Sequence, residues 1–91
     1  MSPTEEHELI IRVHRLGNDL QHRVTAEASE SIRMMFEEAQ GYCTKAEERL
    51  RNHDYEAAYK ICKQAESCRG IAENFAQPAK EIAEELDKLL G

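Results

Sequence analysis

The feature that most constrains the fold of this 91-residue chain is a pair of apolar stripes that run away from residues 52–54 in opposite directions. On each side, small and apolar residues recur every three or four positions, as on one face of an α-helix. If the chain turns at 52–54, residues equally distant from the turn lie side by side. The resulting pairs are all apolar: Leu50 with Tyr55, Ala46 with Ala58, Cys43 with Cys62, Ala39 with Ala65, and Met35 with Ile71.

The residues at this point have the chemistry of one helix ending and another beginning. Arg49 and Arg51 are favourable near a helix C-terminus, where the helix dipole attracts cations. Asn52 can take the left-handed conformation that often ends a helix. Asp54 is a good N-cap for the helix that follows. The sequence therefore predicts an antiparallel helical hairpin.

The N-terminal part of the chain predicts another helix, over residues 3–24. Ser2 and Glu5 form an S-x-x-E capping box, and Pro3 fits the first helical position. The apolar residues that follow keep helical spacing. They are Leu9, Val13, Leu16, Leu20 and Val24.

Two places leave the helix boundaries open. Thr25, Ser29 and Ser31 are each plausible N-caps, which would place the start of a new helix in this segment. The helical spacing of apolar residues nevertheless continues through the segment. The alternative is therefore one uninterrupted helix of about 50 residues, roughly 75 Å long. Pro78 is expected to kink or break its helix, because it lacks an N–H group and crowds the preceding turn. The sequence then predicts a last amphipathic helix over residues 78–90.

These patterns predict one all-α domain over residues 1–91. The leading fold is a three-helix bundle, built on the antiparallel hairpin and completed by a short C-terminal helix. The alternative is a long two-helix hairpin that dimerises into a four-helix bundle. In the leading fold the helices cover about 3–24, 29–52, 54–75 and 78–90.

Composition excludes several classes of function. The net charge is −6 and no segment is basic, so we expect neither nucleic-acid nor anionic-membrane binding. No apolar run approaches the roughly 20 residues that span a bilayer, and no signal peptide is recognisable. The three cysteines lack paired metal-ligand spacing. Together these features indicate a soluble protein of the reducing cytoplasm.

Two groups of residues are candidates for chemistry. His14 and His22 share one helix face, but a metal site would need further ligands from another helix. Cys43 and Cys62 are predicted to be neighbours in the hairpin, where they either pack as small core residues or form a disulfide. No histidine falls level with either thiol in the hairpin, so no base is at hand for thiolate catalysis. We expect no enzyme and no cofactor.

The segment from Tyr42 to Ala65 resembles one helix-turn-helix unit of the tetratricopeptide type. Asp54-Tyr55 is similar to that repeat's turn, and Ala58 matches one of its small-residue positions, as do Ala46 and Ala65. The pattern departs from the repeat at Arg49 and Gly70. The same turn, with its Asp-aromatic-x-x-Ala pattern, is also similar to a short archaeal helical family of uncharacterised role. Both resemblances imply a hairpin and a protein-interaction role.

Two helices carry more apolar width than one core stripe requires, and this often indicates a second buried surface. We therefore expect a small protein-protein interaction or assembly module that works through helix faces, with itself as one partner in a homo-oligomer. The alternative is a metal-binding or thiol-redox protein that uses the histidines or the cysteine pair. The candidate interface residues are Ile10, Ile11, Ile32, Met34, Met35 and Phe36.

Overall fold

A computed structural model describes residues 2–66 and 73–90 of the chain. These residues form an all-α bundle, which confirms the predicted fold class. The fourth helix has 18 residues and is a full member of the bundle rather than a short addition. The helices are α1 (Pro3–Ala26), α2 (Glu30–Arg51), α3 (Tyr55–Glu66) and α4 (Glu73–Leu90).

The helix α1 begins and ends where local chemistry allows. The Ser2 hydroxyl accepts a hydrogen bond from the Glu5 backbone N–H at 3.2 Å, and Pro3 occupies the first turn. At the other end, Glu27 adopts an extended backbone, and α2 begins at Glu30. The chain therefore breaks at residues 27–29, and the alternative of one long helix running through this segment is wrong.

The turn between α2 and α3 is a Schellman motif at residues 52–54, as predicted, but its left-handed residue is His53 rather than Asn52. Asn52 has a φ of −87°, whereas His53 has a φ of 61° and takes the left-handed conformation. The His53 N–H donates to the Leu50 carbonyl at 3.1 Å, and the Asp54 N–H donates to the Arg49 carbonyl at 2.8 Å. These two bonds satisfy carbonyls at the helix end, and they place the left-handed residue after Asn52 rather than at it.

The side chain of Asp54 caps α3, as the sequence predicts. Its Oδ1 atom accepts a hydrogen bond from the Ala57 N–H at 3.2 Å. The predicted extent of this helix, 54–75, is wrong at its far end, because residues 73–75 belong to α4. Residues 67–72, which include Cys68 and Ile71, lie outside the described residues.

The predicted break at Pro78 is also wrong, because α4 begins at Glu73 and continues through the proline. Pro78 lies in the second turn of α4 and has no backbone N–H group, so one helical hydrogen bond, to the carbonyl of Asn74, is missing. The rest of α4 packs a continuous apolar stripe into the core, and this packing outweighs the single lost bond. The buried residues of that stripe are Ala79, Ile82, Ala83 and Leu86.

The core lies along the helix contacts α1–α2, α2–α3 and α3–α4, in a body of 41 × 20 × 16 Å. Small residues dominate the α2–α3 contact, so these two helices approach closely. Within residues 2–66 and 73–90, no helix is both long enough and apolar enough to cross a membrane. The hairpin residues that are buried are Ala39, Cys43, Ala46 and Leu50 on α2, and Ala58, Cys62 and Ala65 on α3.

Candidate functional site

Cys43 lies near the centre of the bundle and lines two different hollows. The first, which we call the junction crevice, is formed by side chains from all four helices and contains a cavity of about 10 Å³. Its lining is apolar, and so small a space holds at most about one water. The residues that form it are Val13, Leu16, Tyr42, Cys43, Ala46, Ile61, Cys62, Ala65, Ala79 and Ile82.

The two described thiols both face this crevice. Cys43 and Cys62 are free, and each is only 4% exposed. Burial raises the pKa of Cys43 to about 12, and the nearby Cys62 thiol and Glu47 carboxylate add to that increase. Burial likewise raises the pKa of Cys62 to about 11. Since the thiolate is the nucleophile, both groups are unreactive at neutral pH while the bundle is closed.

The second hollow, which we call the α1–α2 hollow, is polar and has a volume of about 120 Å³. Gly17 forms part of its floor: a Cβ atom at this position would lie 3.3 Å from the Cβ of Cys43. The missing side chain lets α1 and α2 approach closely at this level. The residues around the hollow are Val13, His14, Gly17, Asn18, Gln40, Cys43, Thr44 and Glu47.

Glu47, which lines the α1–α2 hollow, is contacted by one side chain from α1 and one from α2. The Nδ1 atom of His14 lies 2.8 Å from the Oε1 atom of Glu47, and the Arg51 guanidinium donates to the same oxygen at 3.3 Å. His22 is exposed and does not line the hollow, so the structure does not bring the two predicted histidines to one site. In the described ranges, no three His, Cys, Asp or Glu side chains come together to hold a metal ion.

The His14–Glu47 pair does not follow from the predicted hairpin register, which relates only α2 and α3. The α1–α2 connection at 27–29 sets a second antiparallel register, in which His14 lies level with Glu47. The same register places Gln21 beside Gln40, whose amide donates a hydrogen bond to the Gln21 side chain. The pairing of His14 with Glu47 can be predicted from the sequence only when the break between α1 and α2 is placed at 27–29.

A second polar group, the Glu6 cluster, lies at the end of the bundle and consists of Glu6, His53 and Tyr55. The Tyr55 hydroxyl donates a hydrogen bond to Oε2 of Glu6, and the His53 Nδ1 atom lies 3.0 Å from the same oxygen. The tyrosine hydrogen bond, with a smaller contribution from His53, lowers the pKa of Glu6 below its ordinary value. The same hydrogen bond raises the pKa of Tyr55. The cluster joins the first turn of α1 to the α2–α3 turn.

The six predicted interface residues fall into two groups. Ile10 and Phe36 are buried in the core, and Ile32 packs against it. Among the residues that the structure describes, Ile11, Met34 and Met35 lie outside the core cluster, and Met34 is 60% exposed.

These three residues do not form one patch. In the antiparallel α1–α2 register, Ile11 lies near the end of α2, roughly 20 Å along the axis from Met34 and Met35. The candidate surface for association is therefore the first two turns of α2, around the methionines.

No family model, curated protein or solved structure matches this chain.

Proposed function

We propose that this protein is a small helical interaction module that associates with a second copy of itself through the start of α2. The observation that carries the proposal is the exposure of Met34, a large apolar side chain that is 60% accessible. Half-buried Met35 is the next residue along α2 and widens the apolar surface there, whereas half-buried Ile32 lies on the opposite side of the helix and packs against the core.

The expected gain comes from the removal of apolar surface from water. Full burial of a methionine side chain stabilises a complex by roughly 1.5–3 kcal/mol. In a dimer with twofold symmetry each interface residue is present in both copies, so this contribution is made twice. Methionine also suits an interface because its unbranched side chain adapts to different surroundings.

Charge opposes this association and makes it depend on salt. Glu30, Glu37 and Glu38 are exposed around Met34, and each copy carries a net charge of −6. Two such faces repel each other in water of low ionic strength. Added salt screens this repulsion, so the dimer should become stronger as the salt concentration rises.

Light scattering coupled to size exclusion tests the proposal when it is run across protein and salt concentrations. Met34→Gln removes the apolar side chain without a change in charge and should shift the protein towards the monomer. His7→Gln, at an exposed position on the opposite end of the bundle, serves as the matched control and should leave the association unchanged. A wild-type protein that remains monomeric at high protein and salt concentrations would contradict the proposal.

A further inference from the structure

Cys43 and Cys62 are brought together by two features of the fold that do not depend on the proposed function. The hairpin turn places them at the same level on neighbouring antiparallel helices. The side chains also converge on the junction crevice, since both line it. The effect of the Cys62 thiol on the pKa of Cys43 agrees with this closeness.

The neighbours of the two cysteines keep α2 and α3 close. Ala46 and Ala65 line the crevice beside them, and Ala39 and Ala58 are fully buried on the same two helices. Side chains this small put helix axes at the short end of the usual range of 8–10 Å. A disulfide requires Cα atoms that are usually about 4.4–6.8 Å apart, and close packing of this kind favours that separation.

We propose that Cys43 and Cys62 are a redox modification site, at which a small-molecule disulfide such as oxidised glutathione cross-links α2 to α3. One protein thiol attacks the glutathione disulfide, forms a mixed disulfide and releases one glutathione. The second protein thiol then attacks the protein sulfur of the mixed disulfide and releases the other glutathione. The two cysteines lose two electrons and two protons, and one glutathione disulfide becomes two glutathione thiols.

Burial sets the speed of this reaction. Both thiols are shielded while α3 lies against α2, so the first attack requires a transient separation of the two helices. When α3 packs against α2 again, the second thiol lies at the same level as the cysteine that carries the mixed disulfide. The cross-link should then raise the thermal stability of the hairpin, because it restricts the unfolded chain.

The test uses the whole protein, equilibrated under native conditions in glutathione buffers of defined ratio and then quenched by alkylation. Trypsin separates the three cysteines into the peptides 34–45, 61–63 and 64–69, so mass spectrometry identifies each possible pair. We expect a cross-link between the first two peptides, and one alkyl group on the intact oxidised protein where the fully reduced protein takes up three. The oxidised protein should also have a higher melting temperature than the reduced protein.

Two controls make the outcome decisive. The Cys68→Ser background removes the third thiol and should leave the cross-link intact. The same glutathione buffers with added denaturant measure how readily the unfolded chain forms the Cys43–Cys62 disulfide. The folded protein should form this disulfide at a smaller proportion of oxidised glutathione than the unfolded chain does. The proposal is overturned if the native protein yields only mixed disulfides or pairs with Cys68, or if the oxidised hairpin melts below the reduced one.

Discussion

The Tyr55 hydroxyl donates a hydrogen bond to the Glu6 carboxylate and so ties the first turn of α1 to the first turn of α3. The two partners are 49 positions apart in sequence. His53, which occupies the left-handed position of the α2–α3 turn, contacts the same carboxylate oxygen at 3.0 Å. One carboxylate therefore connects three parts of the chain at this end of the bundle.

This contact predicts a pH window of stability. Because the pKa of Glu6 is lowered in the folded state, its contribution is present above the ordinary value of 4.5 and is lost as the pH falls through the folded value. Because the pKa of Tyr55 is raised, its contribution is present below 10.0 and is lost as the pH rises through the folded value. Urea denaturation across pH should show Tyr55→Phe less stable than wild type between these limits. A difference between the two proteins that does not change with pH would contradict this assignment.

Two glycines within helices should respond differently to alanine. At Gly41 an added Cβ meets no atom within 4 Å, so Gly41→Ala should stabilise the protein by about 0.5–1 kcal/mol through helix propensity. At Gly17 the Cβ would lie 3.3 Å from the Cβ of Cys43, and crowding should cancel part or all of that gain. Denaturant titration of both variants measures the difference. Equal gains at the two sites would show that α1 and α2 are not in close contact at Gly17.

The serines that precede α1 and α2 provide a second matched pair. The Ser2 hydroxyl accepts a hydrogen bond from the Glu5 N–H, whereas the Ser29 side chain makes no capping hydrogen bond. Ser2→Ala should therefore lower the free energy of unfolding by about 0.5–2 kcal/mol, the usual value of an N-cap. Ser29→Ala should have a smaller effect, and thermal melts of the two variants test the order. If Ser29→Ala is the more harmful, the capping geometry described for α2 is wrong.

Leu50 should be among the residues most sensitive to truncation. Its side chain is fully buried at the end of α2, so Leu50→Ala should cost about 2–5 kcal/mol through lost burial and a new cavity. That is a large part of the roughly 5–14 kcal/mol expected for a domain of this size. Met34→Ala, at a 60% exposed site on the same helix, should change monomer stability by about 0.5 kcal/mol or less. Comparable losses in the two variants would contradict the assigned core.

The sequence predicted the helices best where periodicity and capping chemistry agreed. The start of α1 at Pro3 and the cap at Asp54 were both predicted from the identities of the residues. Of the hairpin residues expected to face each other, from Leu50 with Tyr55 down to Ala39 with Ala65, all but the half-buried Tyr55 are buried in the bundle. These features depend on local chemistry and on one short turn, and both can be recognised in a single sequence.

The predictions failed where tertiary packing outweighs local preference. Pro78 is unfavourable within a helix, yet α4 continues through it because the loss of one hydrogen bond is small beside the burial of an apolar stripe. His53 rather than Asn52 takes the left-handed conformation, because the Schellman bonds fix the position by geometry and not by residue preference. The pair His14–Glu47 required the α1–α2 register, which the sequence left open at 25–31.

The position of Cys43 also has an evolutionary consequence. Its Cβ faces Gly17 on α1, and its thiol shares a crevice with Cys62 on α3, so one side chain fixes the spacing of three helices. A larger residue at any of these positions would crowd its neighbours unless a smaller one at another position made room. Homologues should therefore show compensating changes in side-chain volume at 17, 43 and 62, with the sum of the three volumes conserved more strictly than any single residue.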